Sequence, residues 1–485
     1  MIRFLIIILI AFSLPITITA QNANVYWGNE FGKLSDYNTQ LLHFIKEDSL
    51  TNSTLWLRSP SNRDWATNLE TIFQLFIEKF DSENNIVYSQ DLMKIKFPEK
   101  NDSNIVEIQK FLIVNKRILL LTSAWNKKKK DLSFFIHEVN DRGLLNKTIK
   151  VDGIHDDAIA FQNFFKLSSD SSKLLVAIKC NGYYTINILD RDLTKISLKE
   201  IKSNNDTIHD MLFNWLTDAK VEIDNKGKIF FLVRNIFYND KSIFLYKYDY
   251  EIDSINIFKL GIGVENIVRE DYTYKINHEG SIIIMSGTYR EANKTYNYNT
   301  YKGTFIVSIN SDDLSIRKKK IISFPKPIYN NGYNIGADIS IIEKEDKGFI
   351  IMLEKGFEEI IIDNYDKDFN VLYNTTIYKQ ATRNLASGYI SLYDNNTSIL
   401  RVMYNDNIKN LTINNEKVKK LHTKNPAPVL ATIDENGKIT KDALLNPSTP
   451  SVTLAFKMAC QISKDKIMIY GVENKKFRLG SLFLH

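Results

Sequence analysis

Two short segments carry the residues best suited to chemistry. GIHDDAIAFQNFF holds His155, Asp156 and Asp157, and TIHDMLFNWLTD holds His209, Asp210 and Trp215. Each His-Asp pair stands 15 or 16 residues before the next polar turn of the chain, so the two pairs occupy equivalent places in consecutive segments. Two imidazoles and several carboxylates at one rim are a donor set for a divalent metal. Repetition in consecutive copies favours a plainer role, in which each histidine ties its own connection in place. Trp215 beside Asn214 adds an aromatic face suited to stacking on a sugar ring or a partner side chain. His155, Asp156, His209, Asp210 and Trp215 are therefore the candidate ligand-binding residues, with no cofactor, metal or catalytic residue assigned.

The elements that must position them form an internal repeat. A polar turn followed by a solid apolar strand recurs as SDSSKLLVAIK from Ser169, DNKGKIFFLV from Asp224, HEGSIIIMSG from His278 and EDKGFIIMLE from Glu345. Looser copies start at Val114, Tyr393 and Ser463, and a degenerate first copy starts at Lys46. Each copy continues into a hairpin that turns at Asp81, Asn140, Asp190, Asp249, Asn310, Asp366 or Asp434, anchors that lie 50 to 68 residues apart. Asx residues favour such reversals because their side chains bond the backbone two residues on. A period of this length in an all-β pattern predicts a β-propeller.

Eight turn-strand units against seven hairpins leave the last blade one strand short. The spare strand-like segment NVYWGNEFGKL from Asn24 is predicted to complete it and close the ring. Eight blades are expected, or seven if the degenerate first copy is not a true inner pair. Runs such as Ile229–Val233 and Ile282–Met285 are apolar without a break, as in strands buried on both faces. The hairpin strands alternate instead. Ile196, Leu198 and Ile201 are interspersed with Ser197, Lys199 and Glu200, which predicts one face in water.

Met1 to Ala20 read as a secretory signal, with Arg3, an apolar core over Phe4–Leu14 and a small-residue cleavage site at Ala20. Residues 21–485 then form a single domain with no further membrane span, exported to the periplasm or the cell exterior. The repeats run to His485, which tilts the expectation toward the periplasm. Cys180 and Cys460 fall on different blades and are expected as buried free thiols. The net charge of +6 is mild for this length, and no basic stripe interleaves with aromatics, which argues against nucleic acid. The basic runs Lys127–Lys130 and Arg317–Lys320 read as a solvated loop and a water-facing outer strand. Nucleophile elbows, zinc-protease motifs and phosphate-binding glycine loops are absent.

The segments GADISIIEKEDKGFIIMLEKG from Gly336, MYNDNIKNL from Met403 and IMIYGVENKKFRLGSLFL from Ile467 resemble a family of exported propeller-like proteins of unknown function in Bacteroidota. The resemblance covers about 150 residues of the C-terminal half and departs from the family's doubled glycine at Asp346-Lys347-Gly348. It implies the fold and export but supplies no catalytic residues. The reading is a monomeric, non-enzymatic binding or scaffold propeller of the cell envelope that presents loops to a protein or glycan partner. The alternative is an extracytoplasmic hydrolase of glycan or peptide with its residues in the axial mouth.

Overall fold

The computed structural model describes the strands and tight turns between residues 23 and 484. Outside the described residues lie 1–22, 28–38, 42–57, 61–75 and the connections 155–161, 203–219, 235–242, 292–299, 330–337, 380–387, 412–426 and 446–452, with a few shorter gaps. After β1 (Ala23–Trp27) come the pair β2 (Thr39–Leu41) and β3 (Arg58–Pro60) and the hairpin β4 (Phe76–Phe80) and β5 (Ile86–Asp91). Six four-stranded antiparallel sheets follow, each built from consecutive strands. They are β6 (Asn104–Val114), β7 (Arg117–Asn126), β8 (Asp131–Val139), β9 (Leu145–Ile154); β10 (Gln162–Leu167), β11 (Lys173–Cys180), β12 (Tyr183–Asp190), β13 (Lys195–Lys202); and β14 (Lys220–Ile223), β15 (Ile229–Arg234), β16 (Ile243–Asp249), β17 (Ser254–Leu260). Then come β18 (Asn266–Ile276), β19 (Ile282–Glu291), β20 (Thr300–Asn310), β21 (Ile316–Tyr329); β22 (Asp338–Glu343), β23 (Phe349–Lys355), β24 (Glu359–Tyr365), β25 (Val371–Tyr378); and β26 (Tyr389–Asp394), β27 (Ile399–Asp406), β28 (Ala427–Ile433), β29 (Ile439–Ala443). The last sheet joins β30 (Thr453–Leu454) and β31 (Cys460–Gln461) to β32 (Lys466–Glu473), β33 (Lys476–Leu484) and β1.

The N-terminal strand is thus the outer strand of the last sheet, with Ala23 opposite Leu484 and Trp27 opposite Gly480. Among the described residues seven sheets have four strands or more, and β2–β3 and the β4–β5 hairpin around Asp81 are two further strand pairs. Cys180 and Cys460 fall on different sheets, as expected. The chain divides into two compact units, one of Gly32–Gly356 with Ile360–Thr376 and one of Met1–Phe31, Phe357–Glu359 and Ile377–His485.

Within the first unit, the unbroken apolar strands are explained by parity. In β15, Ile229, Phe231 and Val233 pack against the preceding sheet, with Leu175, Ala177 and Ile186. Phe230 and Leu232 of the same strand pack against the following sheet, with Met285 and Val307. A strand whose two faces both meet a neighbouring sheet has no water-facing register, so every position must be apolar or internally bonded. The first hairpin strand of the third of these sheets obeys the same rule. All seven residues of β16 are buried, including Lys247 and Asp249. Alternation appears on the innermost strand β14 as well, and on the outermost strand β13 it departs from expectation. Ile201 is buried, but Ile196 and Leu198 are 38% and 42% exposed. A bulge explains the first: Leu189 pairs with Lys195 and Ile188 with Ser197, so Ile196 is left without an opposite number. Trp125 is 37% exposed near the end of β7. The basic runs stand as expected, with Lys128, Lys129 and Arg317 to Lys319 exposed.

The hairpin anchors work through their side chains. Asp190 Oδ1 accepts the backbone N–H of Asp192 at 2.9 Å and of Thr194 at 2.7 Å. Asp81, Asn140, Asp366 and Asp434 do the same for the residues two and four positions on. The fourth residue of the Asp190 turn, Leu193, takes a positive φ of 61°. The turns are then gripped by the preceding sheet. Tyr88 Oη donates to Arg142 O at 2.6 Å, Lys147 Nζ to Asp192 O at 2.8 Å, and Lys199 Nζ bonds Asp253 at 2.5 Å. Buried Lys247 donates to Asp312 O.

Left-handed backbone costs a non-glycine residue about 1–2 kcal/mol, while fully burying a leucine side chain contributes about 2–3 kcal/mol. Leu193 is 3% exposed, so burial wins there. Ser171, at φ 58° in the turn between β10 and β11, has no such compensation. Leu193→Gly should therefore lower the stability measured by denaturant unfolding, whereas Ser171→Gly should raise it slightly. The same sign for both would show that backbone strain is not what these turns balance.

Candidate functional site on the innermost strands

The first strands of neighbouring sheets, β6, β10, β14, β18 and β22, touch one another in sequence, which makes them the innermost strands of the first unit. Their side chains form a polar wall. Gln109 stands in a bulge of β6, where the register slips between Ile108 and Lys110. Its Nε2 donates to Ser123 Oγ at 2.9 Å, and its Oε1 accepts from Asn163 Nδ2 of β10 at 3.4 Å. The Oδ1 of Asn163 is buried without a hydrogen-bond partner among the described residues. Lys166 of β10 donates to Glu222 Oε1 of β14 at 3.3 Å, both groups being half-buried. Lys220 of β14 donates to the Tyr272 carbonyl of β18 and stands 5.1 Å from the centre of the Tyr272 ring. Tyr274 donates its hydroxyl to Phe230 O at 2.8 Å, and complete burial holds that hydroxyl far above its ordinary pKa.

The five sequence candidates lead into this wall. His155 and Asp156 lie in the connection from β9 to β10, and His209, Asp210 and Trp215 in the connection from β13 to β14. All five fall outside the described residues, so the structure neither brings them together nor separates them. What the sequence reading missed is the wall itself. Its signal was the polar letters inside two short first strands, QNFFKL and KVEI. Amides, ammonium groups and a carboxylate on adjacent strands make a surface of hydrogen-bond donors and acceptors, with each cation already close to an acceptor. Among the described residues no group of three or more His, Cys, Asp or Glu side chains is placed to hold a metal.

A second polar cluster occupies the other unit and absorbs the MYNDNIKNL motif. Asp406 Oδ1 accepts the Asn407 N–H and Asn410 Nδ2, both at 2.7 Å. Asn405 Nδ2 donates to Leu454 O at 2.6 Å, and Asn407 Oδ1 accepts the Lys409 N–H. These bonds build the single 3₁₀ turn Ile408–Asn410 that ends β27. The motif is a buried stop for the strand, since its four amide and acid side chains are consumed by the turn and its neighbour. Lys441 nearby donates to Tyr378 O at 3.0 Å, and burial lowers its pKa against the opposing pull of Asp406.

His137 is the described histidine, fully buried in β8 between Thr122 Oγ1 at 2.8 Å and Thr148 Oγ1 at 3.0 Å. Burial lowers its pKa to about 4, so at neutral pH it is uncharged, and Glu99 at 3.7 Å is a neighbour of a neutral ring. Burial raises the Glu99 carboxyl.

The architecture is similar to that of the Dos1 propeller, at 12% identity over 94% of this chain and 95% of that one, with a TM-score of 0.50. It is also similar to the β-propeller domain of the Trilobed protease from Pyrococcus furiosus, at 10% identity over 79% and 94% with a TM-score of 0.35. The WD40 domain of SCAP from fission yeast aligns at 8% identity over 79% and 98% with a TM-score of 0.39. No protein-family model matches the chain, and neither does any curated protein. Sheet order, strand pairing and the likeness to the Dos1 propeller together define the class: the chain is a β-propeller.

For His137 the unfolded chain takes up a proton near pH ~6.5 while the folded chain does not until about pH 4. Its contribution to stability is complete above the unfolded pKa and is lost as pH falls through that window, by up to about 3 kcal/mol. Glu99, raised in the fold, acts in the opposite direction and offsets part of the loss. Unfolding midpoints between pH 7 and pH 4 should therefore fall more steeply for the native protein than for His137→Gln; parallel curves would refute the assignment.

Proposed function

We propose that the protein is an exported, non-enzymatic binding propeller of the cell envelope, which presents its loop surfaces to a protein or glycan partner. The observation that carries this reading is the polar wall of the innermost strands. The connections holding His155, Asp156, His209, Asp210 and Trp215 run directly into β10 and β14, where Asn163, Lys166, Lys220 and Glu222 supply the polar wall. Amide-rich surfaces bonded across neighbouring sheets suit a ligand that presents hydroxyls or peptide groups, and a rigid scaffold limits the entropy lost on binding. Two sequence features support export: the Met1–Ala20 signal pattern and the resemblance to exported Bacteroidota propeller-like proteins.

The test is a quantitative pull-down from envelope extract with mature protein, Gln21–His485, against a variant carrying alanine at the five loop residues. Capture of a partner by the native protein, reduced at least about tenfold in the variant, is the expected outcome, the scale of losing several contacts at the centre of a binding surface. Equal capture by both proteins would exclude these loops, and turnover of glycan or peptide by the purified protein would replace binding with hydrolysis.

A further inference from the structure

The outermost strands of the sheets are chemically unequal. Formal charge is +2 on β13, +1 on β17 and +5 on β21, or +8 on three strands of a chain whose total is +6. The outer strands β25, β29 and β1 carry no net charge. Lysine on a sheet edge is a common guard against edge-to-edge association. A guard would be needed at every edge, however, and here the positive charge is confined to a run of neighbouring strands, the three above and β9 at +1.

The same three strands expose aliphatic side chains between the basic ones. Ile196 and Leu198 on β13, Ile257 on β17, and Ile316 and Ile321 on β21 are 38 to 46% exposed. The strands are tied side by side. Lys199 of β13 bonds Asp253, at the start of β17, and Lys319 of β21 donates to Gly261 O, just past the end of β17, at 3.1 Å. Apart from Glu200 of β13, the acids beside these outer strands stand at the turns, where Asp253 and Asp312 are held by Lys199 and Lys228. The strand surface itself is left basic and aliphatic.

We propose that β13, β17 and β21 form a docking surface for an anionic lipid bilayer. Ammonium and guanidinium groups meet the phosphates of acidic headgroups, while the isoleucines and Leu198 enter the boundary between headgroups and acyl chains. Charge alone fits any polyanion. The interleaved aliphatics are what select lipid, because a hydrated acidic polymer offers them nothing apolar. This surface is formed by the outermost strands, distinct from the innermost-strand wall, and does not rest on the function proposed above.

The experiment is co-sedimentation of the mature chain with vesicles of phosphatidylcholine alone and with vesicles that also contain phosphatidylglycerol. Binding is expected only to the acidic vesicles, weakening at least about tenfold in high salt as the charges are screened. The variant Arg317→Glu/Lys318→Glu/Lys319→Glu should lose binding. Ile196→Ser/Leu198→Ser/Ile316→Ser, with every charge retained, should weaken it about fivefold or more. The control Val371→Ser/Leu372→Ser on neutral β25 should bind as the native protein does. The proposal is overturned if the native protein ignores acidic vesicles, or if the aliphatic variant binds them undiminished; retention on dextran sulfate would then identify a soluble polyanion as the partner. Hydrogen exchange of the native protein on vesicles supplies a readout that needs no variant to fold. Protection must appear in β13, β17 and β21, and protection elsewhere alone would also overturn the proposal.

Discussion

The burial of middle strands between two neighbouring sheets is the constraint on which the rest of the structure depends. Odd and even residues of β15 belong to different apolar clusters, shared with the sheet before and the sheet after. A sheet of this kind cannot bury itself, so its stability is borrowed from both neighbours, as in other repeat architectures. The turn chemistry serves that packing. Asx anchors fix where each hairpin reverses, and side chains such as Lys147 and Lys247 grip the turns of the next sheet. Buried lysine is costly unless bonded. Lys247 is tolerated because its Nζ reaches a turn carbonyl with Asp249 and Asp312 nearby, and the burial lowers its pKa.

The two proposed surfaces draw on opposite edges of this design. At the innermost strands, polar side chains from adjacent sheets bond one another, which leaves a chemically mixed wall of nearly compensated charge. At the outermost strands no further sheet follows, and side-chain identity is released from packing. Three of those strands use the freedom to collect basic and aliphatic residues, and others stay neutral. Connections 155–161 and 203–219 join an outermost strand to the innermost strand of the next sheet in the order of the chain.

Much of this was legible in the residues. The anchors from Asp81 to Asp434 announced their turns because an Asx side chain does locally what it does in the fold. The apolar runs announced double burial, and the missing last strand followed from counting hairpins. The buried first hairpin strand was not legible, since Lys247 and Asp249 read as exposed letters until their partners in the next sheet are seen. Ile196 and Leu198 misled for the converse reason, because a bulge and a lack of outer neighbours leave apolar side chains in water. The inner wall escaped notice because its residues are brought together only across sheets. Of the candidate site, only its approach is visible: the strands that His155, Asp156, His209, Asp210 and Trp215 lead into.

The pairing of β1 with β33 has a consequence for the order of assembly. Among the described residues β1 finds its partner in β33, so Ala23–Trp27 must wait while the sheets between them are synthesised. Contacts so distant in sequence are slow to form. Until they do, β33 is an open edge and β1 an unpaired strand. A newly made molecule therefore passes through a long interval in which its two ends are competent to pair with the wrong copy. Crowding of nascent chains, rather than the stability of any finished sheet, would set the yield of correctly closed protein.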